Sequence, residues 1–336
     1  MHSAQNDKHY KERSLTDSTI LEVQDLKTYF FTRRGAVKAV DGIDFSLKKG
    51  ECLCLVGESG CGKSVTVLSL LRLVAAPGRI VSGQVHYNNV DLVHCSEEKL
   101  RGIRGGDIAM IFQDAQSAFN PVLTIGDQIA EQMTIHGSID RQAVKNKGIE
   151  LLKEMNIPEP DRVWDSFPHQ LSGGMKQRAM IAMSLSCDPK ILIADEPTTA
   201  VDVTIKAQIL DILHTLKEKR GMSLIFVTHD LGIVADIGDR AQVIYGGKSI
   251  EMASVSEIIN NPGHPYTKGL IACLPDSSTD SERLASIPGT APNPIDLPEG
   301  CPFHPRCAQV MDICRHVVPK QTIISETHTV NCHLFG

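Results

Sequence analysis

The sequence lacks the features that mark a nucleic-acid-binding or membrane-spanning chain. Its 34 lysine and arginine residues are outnumbered by 40 aspartate and glutamate residues, which gives a net charge of −6, and the two signs are interspersed. A surface that binds nucleic acid shows a basic face or stripe, so we expect no nucleic-acid partner. No apolar run approaches the length of about 18 residues that a transmembrane helix needs. The longest candidate, residues 65–76, is interrupted by Ser69 and Arg72, so we expect a chain that does not span a membrane.

Aromatic residues are also scarce, at 4% of the chain. The first residues of the chain lack the apolar segment of a secretory signal. Residues 1–19 are polar and charged, which predicts a disordered tail. The remaining length is sufficient for one large domain with a buried core and a further segment.

One glycine-rich stretch matches the pattern G-x-x-x-x-G-K-[ST] of a phosphate-binding loop. It follows a short apolar run, residues 52–56, that is typical of a buried strand. The alternative is a simple turn between strand and helix, but every fixed position matches. In such a loop the backbone N–H groups and the start of the next helix bind phosphate, Lys63 reaches the β- and γ-phosphates, and Ser64 ligates Mg²⁺. The expected nucleotide contacts are Gly57, Glu58, Ser59, Gly60, Cys61, Gly62, Lys63, Ser64 and Val65.

Alternating strands and helices predict a parallel α/β sheet around this loop. Apolar runs at residues 190–197 and 223–228 indicate buried parallel strands. Two earlier strand patterns, at residues 20–26 and 39–47, predict an antiparallel layer, and the three aromatic residues 29–31 lie between them. Helical spacing at residues 124–136 and 140–156 indicates a helical insertion.

These patterns also predict the domain organisation. We expect a main domain of residues 20–265 that contains a helical subdomain at about residues 114–186. A series of prolines begins at Pro262, which marks residues 266–336 as a C-terminal extension.

Polar side chains follow three of the predicted strands, at the edge where a parallel sheet binds its ligand. Asp195 ends an apolar strand, where a lone carboxylate is costly unless it is paired or bound to a cation, and Mg²⁺ held jointly with Ser64 and Gln113 would supply that partner. Glu196 would act as the base or polarising group for the water that attacks the γ-phosphate. His229 and Gln113 would contact the same phosphate, metal and water. An ordinary strand-end ion pair is the alternative for Asp195 and Glu196.

A second helix start, at Leu171, Ser172, Gly173 and Gly174, also has the character of an anion-binding site. One chain with one phosphate loop has no need of a second such site. We therefore expect two chains to meet head to tail, so that the Ser172 loop of one closes over the nucleotide held by the other.

These motifs, in this order, resemble the nucleotide-binding subunits of ABC transporters over about residues 20–265. The resemblance includes the phosphate loop, Gln113, the Leu171–Met175 signature, the Asp195 and Glu196 pair, the stretch 199–202 and His229. It implies a P-loop NTPase (RecA-like) core with an antiparallel β subdomain and a helical ABC subdomain. It also implies adenine stacking by an aromatic near Phe30, for which ordinary strand packing is the alternative.

Further stretches resemble the ATPases of oligopeptide and dipeptide importers and extend the resemblance over nearly the whole chain. They are residues 101–107, 119–126, 264–270 and 300–307. Met175 stands where most ABC signatures have glutamine, as is typical of the first of the two unlike ATPases in these importers. Ala115 and Val201 depart from the usual proline and leucine.

The resemblance implies an ATPase that drives peptide import from the cytoplasmic face of the cell membrane as a peripheral subunit. Its expected partners are a second, non-identical ATPase subunit, two integral membrane permeases and, indirectly, an extracytoplasmic peptide-binding protein. Import of nickel or another small solute is the alternative within transporters. The alternatives outside them are a non-transport ABC ATPase and a redox or metal sensor, which the intact Glu196 and His229 disfavour.

Four of the ten cysteines, Cys301, Cys307, Cys314 and Cys332, crowd into the last 36 residues. Such a set can hold Zn²⁺ or a [4Fe–4S] cluster, or can be four unrelated structural thiols. The wide spacing and the lack of any C-x2-C pair favour the cluster, and the resemblance to peptide-importer ATPases agrees. We expect a [4Fe–4S] cluster, with Zn²⁺ as the alternative, that stabilises an irregular extension.

Overall fold

The computed structural model of the chain describes residues 18–137, 140–199, 202–274 and 286–336. Most of the predicted N-terminal tail and residues 200 and 201, which include the departure at Val201, lie outside the described residues. The strands are β1 (Thr19–Thr32), β2 (Gly35–Lys48), β3 (Cys52–Val56), β4 (Gly78–Tyr87), β5 (Val90–Asp91), β6 (Ile108–Ile111), β7 (Ile191–Asp195), β8 (Ser223–Thr228), β9 (Arg240–Tyr245), β10 (Lys248–Ser254), β11 (Thr322–Ile323) and β12 (Thr329–Val330). The helices are α1 (Lys63–Leu70), α2 (Glu97–Ile103), α3 (Ala115–Ala118), α4 (Ile125–His136), α5 (Arg141–Glu154), α6 (Pro160–Trp164), α7 (Gly173–Ser184), α8 (Val203–Arg220), α9 (Leu231–Ile237), α10 (Val255–Asn260) and α11 (Pro265–Ala272). No helix among the described residues is both long and apolar enough to cross a membrane.

The first layer is an antiparallel sheet with the strand order β2-β1-β4-β5 in the described part of the chain. Its inward side chains, among them Leu21, Val23, Ile43 and Leu47, are fully or almost fully buried. The alternation of buried and exposed residues on β1 shifts at β-bulges between Val23 and Lys27, which is why the sequence pattern predicts only its first half.

The second sheet carries the site and is ordered β11-β12-β10-β9-β3-β8-β7-β6 within the described residues. Strands β9, β3, β8, β7 and β6 run parallel to one another. Every residue of β3, β6, β7 and β8 is buried, as expected of parallel strands that are covered on both faces. Their carboxyl ends therefore lie at one edge of the sheet, next to the loop that follows β3.

The helices α3 to α7 lie between β6 and β7 in the chain and pack on one another around a buried tryptophan. Trp164 is in van der Waals contact with the Cα positions of two helical glycines, because a Cβ atom added at Gly126 or Gly148 would lie 2.3 or 1.9 Å from its ring. Glycine at both positions lets α4 and α5 approach the indole closely. Thr124 begins α4 with a capping box, in which its hydroxyl accepts from the Asp127 N–H, a pattern that fixes the helix start.

The C-terminal extension is mostly irregular, as the sequence predicted, yet it is joined to the second sheet. Strand β12 pairs antiparallel with β10, and β11 pairs with β12. Phe303 is buried and stacks edge-on against Tyr245, with 5.2 Å between the ring centroids. The extension thereby packs against the same strands that position the phosphate loop.

The predicted α/β fold, with an antiparallel layer ahead of a parallel sheet and helices inserted between two of its strands, is confirmed. The main difference lies in β1, which runs through residues 29–31, so these aromatics lie within the first strand and not between two strands. The exact domain boundaries at residues 20, 114, 186 and 266 stay predictions.

Candidate active site

The loop that joins β3 to α1 has the backbone conformation that its glycines permit. Gly57 and Gly62 have φ angles of 155° and 110°, in the range that favours glycine. A Cβ atom at Gly57 would lie 2.3 Å from the Ile244 carbonyl oxygen, and one at Gly62 would lie 2.2 Å from the Ala39 carbonyl oxygen. The loop is therefore packed tightly between β2 and β9, and neither glycine can be replaced without moving backbone.

Lys63 is the first residue of α1 and its side chain is 4% exposed. Its Nζ atom donates to the carbonyl oxygens of Gly57, at 2.7 Å, and Glu58, at 3.0 Å. It also lies 3.9 Å from Glu196 Oε1. A buried ammonium group is thus held inside the loop by carbonyl oxygens, in the position from which it can attract an anion.

Ser64 and Asp195 are brought together from the start of α1 and the end of β7. The Ser64 hydroxyl donates to Asp195 Oδ1 at 2.9 Å. Burial raises the pKa of Asp195, although the bond from Ser64 partly offsets this effect. A desolvated carboxylate beside a hydroxyl is an oxygen donor set of the kind that hard divalent cations prefer.

Glu196, directly after β7, contacts three other side chains of the site. Its Oε2 atom accepts from Gln113 Nε2 at 3.2 Å and from the Thr199 hydroxyl at 2.9 Å. Its Oε1 atom lies 3.2 Å from His229 Nδ1. Gln113 follows β6, Glu196 follows β7 and His229 follows β8, so the parallel order of three strands assembles these side chains at one edge.

The backbone at Glu196 is unusual for a residue with a side chain, with a φ angle of 46°. Its N–H donates to the Val227 carbonyl oxygen at 3.0 Å, which fastens the turn to β8. Left-handed backbone at a non-glycine residue costs about 1 kcal/mol or more and recurs at functional sites. The turn directs the carboxylate back toward the phosphate loop.

Ser172, Gly173 and Gly174 lie at the start of α7, where the Ser172 hydroxyl accepts from the Met175 N–H at 3.3 Å. Among the described residues, no hydrogen bond joins this stretch to the phosphate loop of the same chain. The structure therefore does not bring this predicted group into the cluster around Glu196 and leaves the helix start available to another molecule.

Phe30 and Val65 lie on different elements from the cluster around Glu196. Phe30 is a half-buried residue of β1 that pairs with Val37 and Gly78, and a Cβ atom at Gly78 would lie 2.6 Å from its ring. This contact accounts for its position by strand packing, and its stacking on adenine stays a prediction. Val65 packs from α1 against the core under the antiparallel sheet.

Three residues near the site were missed by reasoning from the sequence. They are Thr199, which donates to Glu196, Tyr266, whose hydroxyl accepts from the Glu58 N–H at 2.9 Å, and Arg306, which pairs with Glu58. Each belongs to a stretch that the resemblance included, but no local pattern predicts these particular contacts.

The four cysteines of the extension do not form the metal centre that the sequence predicted. All four are free, and three of them are buried. Burial raises the pKa of Cys301 to about 11 and raises the pKa values of Cys307 and Cys332, so these side chains are neutral thiols in the structure. In the parts of the chain that the structure describes, no group of three or more histidine, cysteine, aspartate or glutamate side chains is placed to hold a metal ion. The prediction of a [4Fe–4S] cluster or Zn²⁺ at Cys301, Cys307, Cys314 and Cys332 is therefore wrong.

Three of these cysteines pack instead as small apolar side chains. Cys301 and Cys314 belong to the core that also contains Phe303 and Tyr266, and Cys307 packs against it. The carbonyl oxygen of Cys314 accepts from the Cys301 N–H at 2.8 Å. Free cysteine packs as a small hydrophobic residue, and its spacing in the sequence does not separate this use from ligation.

Comparison with known proteins decides the family. The ABC transporter family matches residues 40–199, and the family described as the oligopeptide/dipeptide transporter C-terminal region matches residues 250–314. The dipeptide transport ATP-binding protein DppD of Bacillus subtilis is 46% identical over 316 residues, which cover 94% of each chain. The chain belongs to the ATP-binding subunits of oligopeptide/dipeptide-type ABC transporters. The DppD protein of Escherichia coli is 42% identical over 314 residues, covering 94% of this chain and 96% of that relative.

The fold is similar to that of a solved ATP-binding cassette. A dimeric ATP-binding cassette, MJ0796, in a post-hydrolysis state bound to ADP and phosphate has a TM-score of 0.63 and 26% sequence identity. The match covers 70% of this chain and 98% of that cassette. As a member of this family, the chain is an ATP-hydrolysing subunit.

Proposed function

We propose that the chain hydrolyses ATP to drive the import of dipeptides or oligopeptides across the cytoplasmic membrane. The observation that carries the proposal is the convergence of Gln113, Glu196 and His229 at the phosphate loop, with Glu196 only 3.9 Å from Lys63. Peptide transport is supported by the names of the relatives, which are dipeptide and oligopeptide transport ATP-binding proteins.

The site residues receive separate roles. Lys63 binds the β- and γ-phosphates, and its two bonds to loop carbonyl oxygens keep the ammonium group inside the loop. Glu196 orients the attacking water and accepts its proton, because a carboxylate held on both oxygens has a fixed direction. His229 contacts the γ-phosphate. Gln113 donates to Glu196 and helps to orient it.

Mg²⁺ fits the residues that would hold it. Ser64 and Asp195 place a hydroxyl and a desolvated carboxylate 2.9 Å apart beside the loop, and we assign the Gln113 amide as the third protein ligand. Magnesium in nucleotide sites is bound by one or two protein oxygens together with the phosphates. The ion would neutralise charge on the γ-phosphate as it is transferred.

Two chains complete the site. The start of α7 at Ser172–Gly174 carries unpaired N–H groups and a positive helix end, and it makes no hydrogen bond to its own phosphate loop among the described residues. We infer that it closes over the nucleotide of a second, non-identical ATPase subunit. MJ0796, the similar cassette, was solved as a dimer, which supports this arrangement.

The remaining partners follow from the transport role. Two integral membrane permease subunits would bind the ATPase pair at the cytoplasmic face, where this chain is a peripheral subunit. An extracytoplasmic peptide-binding protein would deliver the cargo, so the peptide specificity lies outside this chain.

The test is reconstitution of the complete transporter in proteoliposomes. The chain is co-expressed with the second ATPase, the permeases and the binding protein of its transporter, and phosphate release is measured with dipeptides, with longer peptides and with Ni²⁺. We expect hydrolysis to rise several-fold with peptide and to stay at its basal level with Ni²⁺. Stimulation by Ni²⁺ alone would contradict the peptide assignment, and no hydrolysis under any condition would contradict the ATPase role.

A further inference from the structure

Glu58 carries a carboxylate on the phosphate loop, where a negative charge opposes the binding of an anion. It is the second residue of the loop, and its side chain is 30% exposed. A negative charge so close to a triphosphate raises the free energy of the bound state. A neighbouring positive charge is therefore needed.

Arg306, from the C-terminal extension, supplies that charge through a two-point contact. Its Nη1 atom donates to Glu58 Oε2 at 2.6 Å and its Nη2 atom donates to Oε1 at 3.0 Å. The Arg306 side chain is only 5% exposed. Paired N–H donors on a carboxylate are among the strongest and most directional contacts in proteins.

The guanidinium group is held rigidly, because all five of its N–H donors have acceptors. Besides the two bonds to Glu58, Nε donates to the Pro288 carbonyl oxygen at 2.9 Å, Nη2 to the Ile287 carbonyl oxygen at 3.3 Å, and Nη1 to the Tyr245 hydroxyl at 3.3 Å. The contact therefore joins the loop to the extension and to β9.

Further contacts fix the loop from the same side. The Tyr266 hydroxyl accepts from the Glu58 N–H at 2.9 Å, and Tyr266 packs with Tyr245 and Phe303 in a buried aromatic cluster. The carbonyl oxygen of Cys61 accepts from the Gly247 N–H at 2.9 Å. The loop is thus held at Glu58 by the extension and at Cys61 by the turn that follows β9.

We propose that Arg306 is a positioning residue for ATP binding, which neutralises Glu58 and holds the phosphate loop in its binding conformation from the C-terminal extension. Arg306 does not touch the reacting atoms and acts through Glu58. The proposal rests on the assignment of the loop as the ATP site.

The test is the affinity of the purified full-length chain for trinitrophenyl-ATP, measured by fluorescence titration. Arg306→Gln leaves Glu58 unneutralised, and we expect it to weaken binding about tenfold. Adding Glu58→Gln removes the uncompensated carboxylate, so the double variant should recover most of the affinity that Arg306→Gln loses. The matched control is Arg315→Gln, which changes an exposed arginine of the same extension and should bind like the wild type.

The rescue separates a charge-dependent role from a purely structural one. If the double variant binds as weakly as Arg306→Gln, or if folded Arg306→Gln binds like the wild type, the proposal is overturned. Folding is checked by thermal unfolding of each variant. If Arg306→Gln does not fold, Arg306→Met is used, which also removes the charge. We expect the same loss of affinity and the same recovery by Glu58→Gln, and unchanged binding overturns the proposal.

Failure of the underlying assignment gives a different result. If the wild type does not bind the probe, or if Lys63→Ala binds it as tightly as the wild type, the loop is not the ATP site, and the proposed function falls together with this inference. If the wild type binds and Lys63→Ala does not, the assignment stands, and the Arg306 variants decide the inference alone.

Discussion

Glu196 Oε1 lies 3.2 Å from His229 Nδ1, and the two residues follow adjacent parallel strands. The Thr199 hydroxyl holds the other carboxylate oxygen at 2.9 Å. Because both oxygens have partners, the direction of the carboxylate is fixed before any substrate arrives. Pre-organised groups of this kind contribute most to transition-state stabilisation.

Glu196→Gln should retain nucleotide binding and lose nearly all hydrolysis. The amide keeps the shape of the side chain but neither accepts a proton nor carries a negative charge, so we expect phosphate release to fall at least about 100-fold. The measurement is steady-state phosphate release by the reconstituted complex, together with the affinity for ATP. Normal turnover by this variant would contradict the role of Glu196.

Lys63→Ala should fail one step earlier, at binding. Its ammonium group is the buried positive charge inside the loop, and without it we expect the affinity for ATP to fall more than about tenfold. Equilibrium titration of the purified chain measures this loss. Affinity equal to that of Glu196→Gln would show that the two residues do not have the separate roles assigned to them.

Thr199→Val should slow hydrolysis without weakening ATP binding. The substitution keeps the shape of the side chain and removes the hydroxyl that donates to Glu196, so the carboxylate loses one of its fixed partners. We expect kcat to fall about tenfold and KM to change little. Thr199→Ser, which retains the hydroxyl, is the matched control, and an equal loss in both variants would contradict an orienting role.

Gly148→Ala should disrupt the helices around Trp164. The added methyl group would lie 1.9 Å from the indole, so the ring must move, and we expect a loss of about 2 kcal/mol in the free energy of unfolding. Trp164 is the only tryptophan in the chain, so its fluorescence reports the change directly. Gly102→Ala, in α2 with nothing within 4 Å of the added atom, is the control and should be neutral or slightly stabilising.

His264 should make the stability of the chain fall as the pH is lowered below 6.5. Burial, followed by the charge of Lys268, lowers the pKa of His264 from 6.5 to about 3. Between pH 6.5 and 3 the unfolded chain therefore binds a proton at this histidine, whereas the folded chain does not. The contribution of His264 to the free energy of unfolding is complete above pH 6.5 and is lost as the pH falls toward 3. The loss from this residue is at most about 1.4 kcal/mol for each pH unit.

His264→Asn isolates that contribution. The His264 side chain accepts from the Tyr266 N–H at the start of α11, and asparagine can replace it as a helix cap without titrating. Urea unfolding at pH 7.5, 6 and 5 should show the stability of the wild type falling faster than that of the variant. Parallel curves would contradict the prediction. The nearby pair of Glu251 and His328 is present in both proteins and cancels in the comparison.

The sequence predicts those residues of the site whose positions depend on a contiguous motif or on the order of the strands. The phosphate loop is contiguous, and Gln113, Glu196 and His229 each follow an apolar strand, so a parallel sheet brings them together. The contact of Thr199 with Glu196 depends on a turn in which Glu196 has a φ angle of 46°, and no sequence pattern specifies that conformation.

Contacts between distant parts of the chain could not be predicted. Arg306 and Glu58 are 248 residues apart, and composition alone describes the extension as an irregular segment. The cysteines of that segment show the opposite error, because their clustering suggested ligands, whereas in the structure all four are free and three of them are buried. The alternating pattern predicts only the first half of β1, because its bulges reverse the alternation of inward and outward side chains.

The position of β3 between β8 and β9 has a consequence for how the chain folds. Cys52 pairs with Leu224, and Leu53 pairs with Arg240, so both neighbours of this strand emerge from the ribosome about 170 residues or more after it. Pairings of such high sequence separation form slowly. Until they form, β3 is an apolar strand with two open edges, which favours aggregation. A growing chain that ends before residue 245 should therefore depend on chaperones and should bind no ATP.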